Sequence, residues 1–140
     1  MGKAETDPVV RKADRNPVVR KADRDPVVQR ALGLLGLVLG PVRARAMFGG
    51  YGLYLDDAMF ALIARGQVYY RVDEQTRELW AEEGGEPFVY TGKGRPVEMP
   101  YWTAPPHAEE APDTLAPWAE RAVAAARRAK AAKRAGRTRR

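Results

Sequence analysis

The 140-residue sequence has no cysteine, no serine and a single histidine, His107. Without thiols it can form neither a disulfide framework nor a thiolate metal site. A serine or cysteine nucleophile is excluded, and so is any site that needs two histidines. Carboxylate-only metal or acid–base chemistry is what the inventory leaves to an enzyme. No apolar run reaches the ~20 residues of a membrane span, and the charged, proline-punctuated N-terminus does not resemble a signal peptide. These absences lead to the expectation of a cytoplasmic protein without membrane contact, cofactor or metal.

What is present begins with charge. The formal net charge of +6 is unevenly placed. Residues 1–24 carry seven basic and four acidic side chains, giving +3. Residues 25–126 carry nine basic and fourteen acidic, giving −5, and residues 127–140 carry eight basic and none acidic, giving +8. The sequence therefore describes an acidic body between two basic ends rather than a uniformly basic protein. Its length suits one domain with a real core, plus tails.

The N-terminal end is a nine-residue tandem repeat, at 7–15 and again at 16–24 with Asn16 as the one change. Nine residues advance a helix by about half a turn beyond whole turns, so successive Val-Val pairs would face opposite sides. Pro17 would also interrupt a helix. Residues 1–24 are expected to form a disordered arm. The third copy, from Asp25, instead opens a helix. Asp25 suits an N-cap and Pro26 a first helical position. Val28, Ala31, Leu32, Leu35, Val38 and Leu39 then recur at helical spacing until Gly40-Pro41.

The chain is organised around Met47-Phe48-Gly49-Gly50-Tyr51-Gly52-Leu53-Tyr54-Leu55. Tyr51, Leu53 and Leu55 alternate with Gly52 and Tyr54, as in a half-buried strand. Gly49-Gly50 permits positive φ, or a close approach that a Cβ would block. A phosphate-cradling loop would need a GxGxxG or P-loop spacing that is missing. Val42 to Ala46 alternates and is read as a lead into the glycine bend. Strands are expected at 51–55, 58–64 and 68–72, forming a meander with two short hairpin loops. Asp56-Asp57 is read as turn chemistry.

Asp73 is expected to cap a helix over 74–83, with acidic residues in its first turn. Two more strands are expected at 87–91 and 97–102, joined by a Gly92-Lys93-Gly94 turn. Pro100 should place the last strand at an edge or break it. His107 falls in a proline-rich loop over 104–112. Asp113 should cap the final helix, where Leu115, Trp118, Ala119, Ala122, Val123 and Ala126 form the cleanest amphipathic stripe in the chain. The expected fold is α+β and two-layered: an antiparallel five-stranded sheet with helices on one face, in the order α-β-β-β-α-β-β-α. Its parts are an arm at 1–24, a domain at 25–126 and a basic helical or disordered tail at 127–140, into which the final helix is expected to run on.

The glycine-rich stretch resembles the signature of the TfoX/Sxy family, N-terminal domain. The stretch from Met59 to Ile63, then Tyr69 to Asp73, Glu86-Pro87-Phe88, Gly92-Lys93-Gly94-Arg95-Pro96 and Met99-Pro100-Tyr101 come in that family's order. The resemblance spans about residues 27 to 130. Asp57 departs from it, since Asp-Gly is common there. The resemblance implies a small non-enzymatic regulatory or adaptor domain working through protein contacts, in the setting of competence regulation at promoters with a cyclic-AMP-dependent activator. It supplies no catalytic residues. The family's regulators also carry a helix-hairpin-helix domain, which has no counterpart in these 140 residues.

Two sets of residues are candidates for contact with a partner. Tyr51, Tyr54, Tyr69 and Trp102 offer either a protein-interaction surface or core packing, with core favoured. Arg127, Arg128, Lys130, Lys133, Arg134, Arg137, Arg139 and Arg140 offer salt-sensitive, nonspecific contact with DNA or RNA, or else a solubilising helix end. The tail has no aromatic to stack on bases and no Asn or Gln to read them. A carboxylate enzyme using Asp56, Asp57, Asp73 and Glu74 is the least favoured reading. It would need those groups to converge in a pocket.

Overall fold

The computed structural model describes residues 25–47, 49–92 and 94–138. The expected arm at 1–24 and Lys93 lie outside the described residues. The elements in chain order are helix α1 (Pro26–Leu39), strands β1 (Arg43–Met47), β2 (Gly50–Leu55), β3 (Ala58–Ala64) and β4 (Gln67–Arg71), helix α2 (Arg77–Glu82), strands β5 (Pro87–Tyr90) and β6 (Val97–Thr103), a 3-10 turn (Ala108–Glu110) and helix α3 (Pro112–Thr138).

The expected five-stranded sheet is overturned. The sheet has six strands, all antiparallel, in spatial order β1-β2-β3-β4-β6-β5. The helix–strand order changes with it, because four strands precede α2 rather than three. The added strand is Arg43–Met47, whose partners run from Arg43↔Tyr54 to Met47↔Gly50. Its sequence, Arg-Ala-Arg-Ala-Met, lacks the β-branched and aromatic residues that mark strands. It is an edge strand with Arg43 and Arg45 exposed, and such charges discourage further strand pairing.

Both glycine roles are realised in the turn that closes β1 onto β2. Gly49 has φ +78°. A Cβ on Gly50 would collide with the Ile63 carbonyl oxygen of β3. The β3–β4 hairpin turns through Arg65 and Gly66, both at positive φ, the backbone that two-residue turns between twisted strands require.

Three local expectations are corrected. Helix α2 starts at Arg77, because Asp73 and Thr76 close a separate turn in which Asp73 Oδ1 accepts from Gln75 N–H (3.1 Å) and Thr76 Oγ1 (3.2 Å). Helix α3 starts with Pro112 rather than being capped by Asp113, which lies in its first turn. Strand β6 is interior, between β4 and β5. Pro100 is accommodated there by an irregularity: Pro87↔Trp102 and Val89↔Glu98 leave Met99, Pro100 and Tyr101 opposite Phe88 alone. The Pro100 carbonyl still accepts from Val72 N–H at 2.9 Å.

The core lies between the sheet and the long helices. Val28, Ala31 and Leu35 of α1 and Leu115, Ala119, Ala122, Val123 and Ala126 of α3 pack with Tyr51, Leu53, Phe60, Ile63, Tyr70 and Trp102 of the sheet. Trp80 of α2 is fully buried, with its ring 5.9 Å from Tyr70 and edge-on to Trp118 at 4.9 Å. Offset and edge-to-face rings add about 0.5–1.5 kcal/mol beyond their buried area. The Tyr70 hydroxyl donates to Glu109 at 2.6 Å, tying the 3-10 turn to the sheet. Burial, with the Glu109 carboxylate beside it, pushes that phenol's pKa well above its usual value.

Glycine tolerance tests this account. Gly50→Ala is expected to cost about 2 kcal/mol, read as a lower urea midpoint at unchanged m. Gly33→Ala on α1, where an added Cβ meets nothing within 4 Å, should instead raise stability by up to about 1 kcal/mol. Equal effects at the two positions would refute the close-approach argument.

Candidate functional site

The basic candidates do not form a free tail over their whole length, because α3 runs unbroken to Thr138. Three cations on its flank reach acids of the body. Arg127 lies 3.5 Å from Asp56 and Lys130 lies 3.4 Å from Asp57, both pairs largely exposed. Arg128 donates twice to Asp73, from Nε to Oδ2 at 2.7 Å and from Nη2 to Oδ1 at 3.1 Å. This two-pronged geometry, with Asp73 only 20% exposed, makes it the strongest of the three contacts. The Arg128 guanidinium holds the Asp73 carboxyl below its usual pKa, although burial pulls the other way. Lys133 and Arg134 stand on the exposed stretch at 131–136. The Arg137 side chain, Arg139 and Arg140 lie outside the described residues.

The same geometry places the carboxylates of the enzyme reading. Asp56 and Asp57 occupy the β2–β3 turn and Asp73 the β4–α2 turn, each facing a cation of α3. Glu74 follows Asp73 in the chain and is exposed. None of the four lines the apolar cavity beside Met47 and Met59 or the one beneath α1 at Leu35. The turn acids are thus docking points for a helix, which a reading of the turn alone could not reveal. His107 is likewise on the surface, 2.6 Å from Glu110.

The four aromatic candidates separate onto two faces. Tyr51 and Trp102 are core residues. Tyr54 and Tyr69 pair across the sheet with Arg43 and Thr103, on the face turned away from the core. Tyr54 lies beneath the guanidinium groups of Arg43 and Arg45, at 5.5 and 5.8 Å. Tyr69 packs on Phe88 of β5 at 4.9 Å.

The face opposite the core carries a feature that the sequence pattern did not suggest, an open apolar groove of about 290 Å³. Met47, Met59, Leu62, Phe88, Met99 and Tyr101 line it, so three of the chain's four methionines meet there. Gly52 makes room for them: a Cβ at that position would lie 2.9 Å from Met59 Sδ and 3.0 Å from Met47 Cε. Arg71 is the charged member of the lining. Its guanidinium carbon is 5.5 Å from the Tyr101 ring centroid. Its Nε is buried without a hydrogen-bond acceptor. Burial raises the Tyr101 hydroxyl's pKa against the pull of Arg71 beside it. No spacing along the chain links the methionines, so only the register of β1, β3 and β6 brings them together.

A family model described as the TfoX N-terminal domain matches residues 34–126. Among individual proteins, the chain is similar to "Protein Sxy" of Escherichia coli (strain K12), 33% identical over 64 residues, covering 46% of this chain and 31% of that protein. It is also similar to "DNA transformation protein TfoX1" of Aliivibrio fischeri (strain ATCC 700601 / ES114), 34% identical over 77 residues, covering 55% of this chain and 37% of that one. The chain spans about a third of the length of these relatives.

The helix clamp yields a pH test. The folded Asp73 carboxyl holds its proton less tightly than the unfolded chain's, so its contribution is complete above the unfolded value of 3.8. It is lost as pH falls through the lower folded value. Arg128→Ala is expected to cost about 1–2 kcal/mol at pH 7 and to flatten the stability loss below pH 4 in urea titrations. A variant that keeps the full acid dependence would show that Arg128 does not set it.

Proposed function

Because the chain belongs to the TfoX N-terminal domain family, we propose that it is a small non-enzymatic regulatory domain that acts in the cytoplasm through protein contacts. The context is DNA transformation, the process named in its Aliivibrio relative, "DNA transformation protein TfoX1". The observation that carries this reading is the Met- and aromatic-lined groove on the open face of the sheet. Flexible, polarizable methionines suit a surface that adapts to another protein. Three of the four acids of the enzyme reading, Asp56, Asp57 and Asp73, are instead engaged with α3.

A second reading, nonspecific nucleic-acid association through the end of α3, is favoured by the exposure of residues 131–136 with Lys133 and Arg134 among them. The pairing of Arg127, Arg128 and Lys130 with body acids leaves this reading fewer charges than the sequence count suggests. It would then make a salt-sensitive tether that concentrates the domain near DNA without choosing a site.

Two measurements separate these readings. Deleting the gene in its own bacterium is expected to change the transcript levels of DNA-uptake genes, restored by the full chain but not by Leu62→Asp in the groove. Unchanged transcripts would remove the regulatory reading. In a DNA anisotropy salt series, five glutamines at 133, 134, 137, 139 and 140 should abolish any low-salt binding. Unaltered affinity would remove the tether.

A further inference from the structure

The groove carries more chemical information than its apolar lining alone. Arg71 stands at the end of β4, where the register Arg71↔Tyr101 turns its side chain toward the same face as Tyr69 and Tyr101. Among the described residues no carboxylate pairs with it; its guanidinium interacts with the Tyr101 hydroxyl, and its Nε is buried without an acceptor. A buried donor of a charged group is costly to leave unpaired. A carboxylate from a bound partner would give the half-buried side chain the charge partner that the described residues do not supply. The lining itself holds no acid, and Arg43 and Arg45 lie on the same face above Tyr54. The complement of this surface is therefore apolar and anionic.

The dimensions narrow the occupant. A cavity of about 290 Å³ falls just below the range of sites that enclose a whole small ligand, roughly 300–1,000 Å³, yet it accommodates one or two large side chains. The groove also continues to the sheet edge. Phe88 and Tyr90 of β5 belong to its lining. Tyr90, Val89 and Val97 beside it are each about half exposed. At the other edge, β1 has its arginines. An extended segment lying along this region would thus meet apolar surface at both the groove and its rim.

We propose that the groove is the docking site for a linear peptide segment of a protein partner, one that seats a large apolar side chain among Met47, Met59, Leu62 and Met99 and directs an adjacent carboxylate to Arg71. This inference rests on the protein-contact reading above and specifies the chemistry of its partner. The carboxylate gives orientation and selectivity, as charge-assisted bonds to guanidinium do. The methionines let one groove accept leucine, phenylalanine or methionine anchors.

The test uses the full chain and a display library of 12-residue peptides. Selected peptides should share a large apolar residue with Asp or Glu within a few positions. Methionine-methyl NMR on the 13C-labelled chain should show the 47, 59 and 99 methyls shifting together on titration, with Met1 unmoved. Arg71→Gln should weaken binding about tenfold or more and erase the preference for the acid, and Arg71→Lys should retain part of both. Trp fluorescence from Trp80 and Trp102 checks that each variant is folded. A selected consensus without acids, equal binding by Arg71→Gln, or unmoved groove methyls would each overturn the proposal. Tighter binding of sodium octanoate than of any selected peptide would overturn it in favour of a small amphiphilic carboxylate. Such failures would be distinct from failure of the regulatory reading, which the transcript measurement decides separately.

Discussion

The carbonyl oxygen of Ile63 occupies the space that a side chain at residue 50 would need, and much of the sheet depends on that contact. It allows β2 to start at Gly50 directly against β3, with Gly49 at positive φ reversing the chain from β1. Two residues later, Gly52 leaves room on the open face for Met47 and Met59. On the opposite side of the same strand, Tyr51 and Leu53 enter the core. A single glycine-rich strand therefore sets the close packing of three strands, one wall of the core and the floor of the groove.

Helix α3 is held by two kinds of force acting on different sides. Its apolar stripe is buried against the sheet and α1, which is where most of its stability arises, because isolated helices are marginal in water. Its cations meet Asp56 and Asp57 at the β2–β3 turn and Asp73 at the turn after β4. The exposed pairs at Asp56 and Asp57 contribute little individually, but with the half-buried Arg128–Asp73 pair they mark which turns the helix crosses. The separation of the sequence into an acidic body and a basic end thus becomes, in the fold, a partly neutralised contact between them.

The helices leave the other face of the sheet open, and a groove forms there. One face is given to stability. The other brings together methionines, tyrosines and an arginine without an acid partner among the described residues. This division explains why the four aromatic candidates split, with Tyr51 and Trp102 inside and Tyr54 and Tyr69 on the open side.

Local pattern was enough to identify α1 and α3, the strand at Tyr51 with its alternation, and the need for glycine at 49 and 50. These features are set by periodicity and by steric limits within a few residues. The strand at Arg43–Met47 escaped because its composition is poor in strand formers, and pairing with β2 alone makes it one. Pro100 suggested an edge or a break, yet β6 runs through Pro100 in the sheet interior because a local irregularity sets its missing donor opposite Phe88. The groove was illegible for a similar reason: Met47, Met59 and Met99 belong to three strands, and cross-strand register is a nonlocal property. The sequence by itself determined the helices, the glycine turn and the absence of thiol chemistry. Only the tertiary structure decided strand number, the partners of Asp56, Asp57 and Asp73, and the meeting of Arg71 with an apolar groove, since each depends on which distant backbones lie side by side.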